Sequence, residues 1–173
     1  MTEKTKSAAG EPLEIERKFL IAYPDVQELM GIPSCYRTHI VQTYLLGGPG
    51  ETARVRSRGI GPNVVYTHTV KRRVSVLTAV EEESEISRAE YLRLLETADP
   101  GARPIEKDRY AFRHAGHVFE IDVYPFWTDR AVMEVELSSE KEEIVLPPCI
   151  TVLREVSADP AYKNAALARR IPE

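Results

Sequence analysis

No apolar run in this chain approaches the ~20 residues that a membrane-spanning helix requires. The beginning, Met1 to Gly10, is polar and has no apolar stretch, so a secretory signal pattern is excluded there. Residues 1–11 are expected to be a disordered tail or a remnant of cloning. Cysteine is scarce. Cys35 and Cys149 stand alone at no metal-ligand spacing, and two isolated cysteines make no disulfide scaffold. They are expected to be reduced, partly buried thiols in a cytoplasmic protein. An excess of basic charge is missing too. Lysine and arginine number 23 against 27 acids, a formal net charge of -4, so the totals point to neither nucleic acid nor an anionic membrane. No Ser-His-Asp or Cys-His set for covalent catalysis is apparent. Repeats of solenoid period and low-complexity linkers are absent. What is present is 173 residues, 43% apolar and 29% charged, a size suited to one globular domain over 12–173.

The organising stretch is Glu14-Ile15-Glu16-Arg17-Lys18. Read as a strand with period two, it puts Glu14, Glu16 and Lys18 on one face and Ile15 on the other. The first strand spans about Leu13 to Ile21, and a short helix over 24–30 stops at Gly31. A second strand, Cys35 to Leu46, has Tyr36, Thr38, Ile40, Gln42 and Tyr44 on one face. Gly47-Gly48-Pro49-Gly50 reads as a hairpin connection. It is not a phosphate loop, because no Lys-Ser/Thr pair and no helix follow. The next strands are Glu51 to Arg58, with Arg54, Arg56 and Arg58 aligned; Asn63 to Val74, with Thr67, Thr69, Lys71 and Arg73; and Leu77 to Ile86, with Glu81, Glu83 and Glu85. Ser87-Arg88-Ala89-Glu90 is a capping box opening a helix to about Thr97. Three more strands follow: Arg103 to His114 with Lys107 and Arg109, His117 to Tyr124 with Glu120 and Asp122, and Ala131 to Ser138 with Glu134 and Glu136. A final helix is expected over about 160–170.

About eight hairpin-linked strands imply an antiparallel sheet, each strand with one apolar and one charged face. The charges are sorted by strand, with acids paired on the first, fifth and eighth and bases on the third, fourth and sixth. A merely solvated face would mix signs. The apolar faces demand cover, which the three helices supply from outside if the sheet closes and turns its charged face inward. Such an interior is costly unless opposite charges cross-pair or a cation and a polyanion balance them. Lysine and arginine suit phosphate oxygens. Carboxylates are the hard ligands that Mg²⁺ or Mn²⁺ prefers.

The ordered set resembles the CYTH, or triphosphate tunnel metalloenzyme, superfamily. The match runs from Glu14-Ile15-Glu16-Arg17-Lys18 through Arg54-Val55-Arg56, Thr69-Val70-Lys71, Glu81-Glu82-Glu83, Lys107-Asp108-Arg109 and Asp122 to Glu134-Val135-Glu136. The resemblance implies a mainly β, α+β fold: a closed eight-stranded antiparallel barrel with helices packed outside. By position, Glu14, Glu16, Asp122, Glu134 and Glu136 are implied metal ligands or their close supports. Lys18, Arg54, Arg56, Lys71, Lys107 and Arg109 are the implied triphosphate cradle. Glu81 and Glu83 are a second acidic pair, for another metal or the attacking water. Glu14, Glu16, Glu83, Glu134 and Glu136 are thus the implied catalytic carboxylates. Departures fall at the end of the chain, where Glu155-Val156-Ser157 replaces a usual Glu-Val-Thr and a common tryptophan is absent near Cys149 and Ile150. The implied activity is Mg²⁺- or Mn²⁺-dependent hydrolysis of the terminal phosphoanhydride of tripolyphosphate, and possible nucleoside triphosphate hydrolysis besides. An adenylate cyclase, a thiamine triphosphatase and a non-enzymatic nucleotide or polyphosphate sensor are the alternatives. The expected partner is a small-molecule triphosphate, with no nucleic acid and no membrane; a homodimer is left open. Trp127 is expected as a half-buried loop residue. His114 and His117 are expected to flank a turn and not to bind metal.

Overall fold

The computed structural model describes residues 5–173, and within it alternation of side chains dictates the elements. The strands are β1 (Leu13–Ala22), β2 (Tyr36–Leu45), β3 (Glu51–Ile60), β4 (Asn63–Arg73), β5 (Thr78–Ile86), β6 (Ile105–His114), β7 (His117–Val123), β8 (Arg130–Glu136) and β9 (Val152–Glu155). Helices α1 (Val26–Met30), α2 (Arg88–Leu95) and α3 (Asn164–Leu167) lie between or after them. The expected tail over 1–11 lies partly outside the described residues. Of the remainder, Lys6 bridges Pro12, and Glu11 pairs with Arg72 at 2.9 Å.

Eight strands close a barrel in the order β5-β4-β3-β2-β6-β7-β8-β1, every pairing antiparallel, with β1 returning to β5. Residues 16–22 of β1 pair with β8 along one edge, while the other edge is shared by β5 and then β9. Ala115 and Gly116 join β6 to β7 with φ of 46° and 84°. This is the left-handed conformation that a two-residue hairpin loop needs to match the strand twist.

The apolar core lies outside this barrel. Ile15, Phe19 and Ile21 of β1, Phe112 of β6, Phe119 and Ile121 of β7, and Met133 and Val135 of β8 form one cluster. Leu29 of α1 and the stretch carrying Leu137, Ile144 and Ile150 cover it. The outer side of β3 is covered by α2 through Val55 and Tyr91. A third cluster closes one end. There the inward-facing positions turn apolar: Leu20 follows Lys18, Tyr124 follows Asp122, and Val132 precedes Glu134. Trp127, Tyr162 and Leu167 complete it. Trp127 is therefore buried among rings, not half-exposed as expected.

Two boundaries differ from the sequence expectation. The expected helix over 160–170 is a 3₁₀ turn, Pro160–Tyr162, and then α3. Lys163 between them is extended (φ -74°, ψ 139°), which lets Tyr162 and Asn164 both reach the buried cluster. There the Tyr124 hydroxyl donates to Asn164 Oδ1 at 2.7 Å. The unexpected β9 is a four-residue strand with three exposed residues, held to β1 partly by Arg17 and Glu155 at 2.8 Å. Both cysteines are free, Cys35 half-buried and Cys149 exposed. No helix among the described residues is long and apolar enough to cross a membrane.

Because the stabilising apolar contacts lie outside the barrel wall, Phe119→Ala is expected to cost about 3–5 kcal/mol. Urea titration of the variant against the wild type measures the loss.

Candidate active site in the barrel lumen

The barrel encloses a cavity of about 480 Å³ lined by nine basic and seven acidic side chains. The bases are Lys18, Arg54, Arg56, Arg58, Lys71, Arg73, Lys107, Arg109 and Lys163. The acids are Glu14, Glu16, Glu81, Glu83, Glu120, Glu134 and Glu136. Period-two alternation on β1 and β3–β8 delivers all but Lys163. Register then decides the neighbours. Lys18 stands opposite Glu134, Arg109 opposite Asp122, Thr69 opposite Glu83, and Lys71 opposite Glu81.

Most lumen bases meet a carboxylate. Lys18 reaches Glu134 at 2.8 Å, and Arg109 Nη2 reaches the same carboxylate at 2.9 Å. Asp122 accepts from Lys107 at 2.5 Å and from Arg109 Nε at 2.6 Å. Arg109 also pairs with Glu120. Glu83 accepts from Arg56 at 2.5 Å and from the Thr69 hydroxyl at 2.9 Å. Lys71 pairs with Glu14, and Arg54 lies 3.6 Å from Glu81. Arg58, Arg73 and Lys163 have no carboxylate partner among the described residues; Arg73 donates instead to the Val76 carbonyl at 2.9 Å.

Burial opposes every one of these charges. It pulls the Lys18 ammonium down, but Glu134 and Glu16 outweigh it and hold Lys18 above the ordinary lysine value. Burial raises Glu134, yet Lys18 and Arg109 keep that carboxyl well below the usual range. Asp122 is likewise raised by burial and lowered further by Arg109 and Lys107. For Lys107 burial wins. With Arg109 beside it, the ammonium is pushed down to about 8 despite Asp122. Glu16 is the opposite case among the acids: burial, then Glu134 and Glu14, push its carboxyl up.

The structure brings nearly all of the sequence-derived candidates together. Asp122 is the exception in kind. Its side chain is 0% exposed and sealed behind Lys107 and Arg109, so it supports the bases and does not line the cavity. Glu120, Arg58 and Arg73, left open by the sequence, line the cavity, whereas Glu85 does not. Lys163 and Tyr44 were missed. Tyr44 lay on a face singled out in β2, and Lys163 sits between two residues that the core buries. His114 and His117 oppose one another across the β6–β7 turn, and His117 Nε2 meets Glu142 at 2.9 Å.

The carboxylates of β1 and β8 are the hard oxygen groups to which a divalent cation would have to turn. Glu16 and Glu136 face each other across the strand pair, as do Glu120 and Glu134. Like charges directly opposed are destabilising unless a cation lies between or beside them. Among the described residues, no group of three potential ligands converges tightly enough to hold a metal without rearrangement.

A closed antiparallel barrel with an ionised lumen defines a class, the tunnel barrels. No family model matches the chain. An inorganic triphosphatase of Nitrosomonas europaea is 35% identical over 162 residues, covering 92% of this chain and 99% of that protein. An inorganic triphosphatase of Acetivibrio thermocellus is 31% identical over 158 residues, covering 90% of this chain and 93% of that protein. The crystal structure of the inorganic triphosphatase NE1496 aligns with TM-score 0.57 at 31% identity, over 92% of this chain and 97% of that one. The chain belongs to this inorganic triphosphatase family.

Lys107 yields a pH prediction. Below about 8 it is charged both folded and unfolded, and its burial is a constant cost. Between about 8 and its ordinary value of 10.5 the folded protein releases the proton while the unfolded chain keeps it, so stability rises with pH. Relative to Lys107→Met, the wild type is expected to gain on the order of 1–3 kcal/mol across that window. Denaturant titrations of both proteins at several pH values check the sign.

Proposed function

We propose that the chain is a metal-dependent triphosphatase that hydrolyses the terminal phosphoanhydride bond of inorganic tripolyphosphate. The observation that carries this reading is the lumen, where nine bases and seven acids line one cavity inside a closed barrel. Relatives of nearly the same length that are named inorganic triphosphatases support the choice of substrate.

Lys18, Arg54, Arg56, Lys71, Lys107 and Arg109 would hold the phosphate oxygens through charge-assisted hydrogen bonds, the arginines with a bidentate fork. Each of these bases now rests on a carboxylate. A bound polyanion takes over those bases and leaves Glu14, Glu16, Glu134 and Glu136 short of counter-charge. Glu16 is already raised by burial and by repulsion from Glu134 and Glu14. An all-carboxylate oxygen set with surplus negative charge fits Mg²⁺ or Mn²⁺. When bound, the metal would supply Lewis acidity and charge neutralisation at phosphate oxygens. The bases spread the charge of the loose transition state, and the barrel wall limits water around it. Glu83, steadied by Arg56 and Thr69, would orient the attacking water. Asp122 would keep Lys107 and Arg109 aimed into the lumen.

The test is phosphate release from tripolyphosphate with Mg²⁺ or Mn²⁺, repeated with chelator. Turnover is expected with metal and lost with chelator; turnover that survives thorough chelation contradicts the metal assignment. Glu134→Gln is expected to lower kcat about 100-fold with an unchanged circular dichroism spectrum. Arg54→Ala is expected to raise KM about tenfold, measured by the same assay.

A further inference from the structure

The cavity is longer than the anion assigned to it. Thr52, Arg54, Arg56 and Arg58 of β3 all line it. Six residue steps at ~3.3 Å make about 20 Å of strand, and a tilt of about 40° leaves roughly 15 Å along the barrel axis. Tripolyphosphate, with its phosphorus atoms joined through two shared oxygens, is shorter than that. Filling the cradle therefore leaves part of the cavity over.

At the Thr52 end the remainder is basic. Thr52 stands opposite Lys71, and Arg73 follows on the same face of β4. The last β3–β4 pair is Glu51–Arg72, so Arg73 projects past the ladder into the cavity. Lys163 arrives from the C-terminal segment. Tyr162 and Asn164 on either side of it are buried, and the extended backbone between them leaves the Lys163 side chain to the cavity. Burial, then the charges of Arg73, Lys18 and Lys71, push its ammonium below the ordinary lysine value, and Glu16 does not restore it. Every base of the cradle has a carboxylate partner, whereas Arg73 and Lys163 have none among the described residues. Two neighbouring cations without counter-charge repel, and an anion between them removes the repulsion.

The wall is also interrupted at this end. β1 pairs with β5 only as far as Ile15–Thr78 and with β9 only from Phe19–Glu155. Between these points no strand meets that edge of β1. Glu16 N–H donates to the Leu77 carbonyl, and Lys18 N–H donates to the Ser157 hydroxyl. The break thus lies beside Lys18, one of the charges that act on Lys163.

We propose that Arg73 and Lys163 form a second phosphate subsite at the capped end of the lumen, separate from the triphosphate cradle and holding one further phosphoryl anion. The inference rests on reading the lumen as that cradle. Two sources share the chemistry. One is orthophosphate, which hydrolysis of a terminal phosphoanhydride releases inside the lumen. The other is the fourth phosphate of a longer linear oligophosphate. The arginine fork and the lysine ammonium suit the oxygens of either. The Thr52 hydroxyl in the same wall adds a donor.

The experiment measures orthophosphate inhibition of tripolyphosphate hydrolysis, and the KM of tetrapolyphosphate, for the wild type, Arg73→Gln, Lys163→Gln and Lys163→Arg. Calorimetric binding of orthophosphate without metal or substrate is a readout that needs no turnover. Both glutamine variants are expected to raise Ki and Kd for orthophosphate, or KM for tetrapolyphosphate, about three- to tenfold. Lys163→Arg is expected to retain wild-type values. Tripolyphosphate kinetics should stay within about twofold in every variant, which also shows the barrel intact. A response to orthophosphate, with inhibition of the wild type not competitive with tripolyphosphate, makes the subsite a product site. A response to tetrapolyphosphate makes it a chain-length subsite. Equal weakening of tripolyphosphate merges both residues with the cradle and overturns the separate subsite. Unchanged behaviour of both ligands overturns it too, as does strictly competitive orthophosphate inhibition with tetrapolyphosphate unaffected. A wild type that neither binds nor hydrolyses tripolyphosphate sinks the lumen reading itself.

Discussion

Lys107 and Asp122 meet at 2.5 Å with side chains 1% and 0% exposed. Neither charge would survive at such depth without the other, because stripping water from an unpaired ion costs several kcal/mol. Arg109 shares Asp122 and also reaches Glu134, and Glu134 in turn holds Lys18. The lumen is therefore one connected set of charges running across β6, β7, β8 and β1. Moving any member changes the counter-charge of the next. That coupling is what allows a bound polyanion to be felt by carboxylates that it does not touch.

With ions inside, apolar packing has to be found elsewhere. The outward residues of β1, β6, β7 and β8 form a core that α1, the stretch after β8, and flanking residues such as Leu77 and, on β9, Val152 cover. The segments outside the barrel are thus its structural cover, as necessary to the wall as the strands. At one end the two environments meet. Leu20, Tyr124 and Val132 turn the inner face apolar, and the C-terminal segment seats Tyr162 and Leu167 against them. The same segment returns Lys163 to the lumen. Cap and binding cavity are built from one short stretch.

Much of this was legible in the sequence because a strand reports its faces every second residue. β1 and β8 stand out for that reason, and the sorting of acids and bases by strand pointed to an enclosed charged face. Alternation gives the face and not the depth, so Asp122 read as a metal ligand or a close support of one, with nothing to show that it is sealed behind two bases. Partner choice was also hidden. Lys18 meets Glu134 across the β1–β8 pairing, between strands far apart in sequence, and Arg109 reaches Glu134 over the intervening β7. β9 escaped notice because four residues after Pro147-Pro148, three of them exposed, leave no periodic signal. The last helix was overextended because Lys163 interrupts it for tertiary reasons: Tyr162 and Asn164 are both buried.

The closure through β1 has a kinetic consequence. β1 is made first during synthesis, yet its partners β8 and β9 are among the last segments to emerge. Pairings so distant along the chain are slow to form. Until they do, the inner face stays open and its ions stay hydrated. Dehydration of the whole charge network is then concentrated into one late event, the docking of the first strand against the last. Shedding water from lysine, arginine and glutamate opposes that docking, alongside the chain entropy of bringing distant strands together.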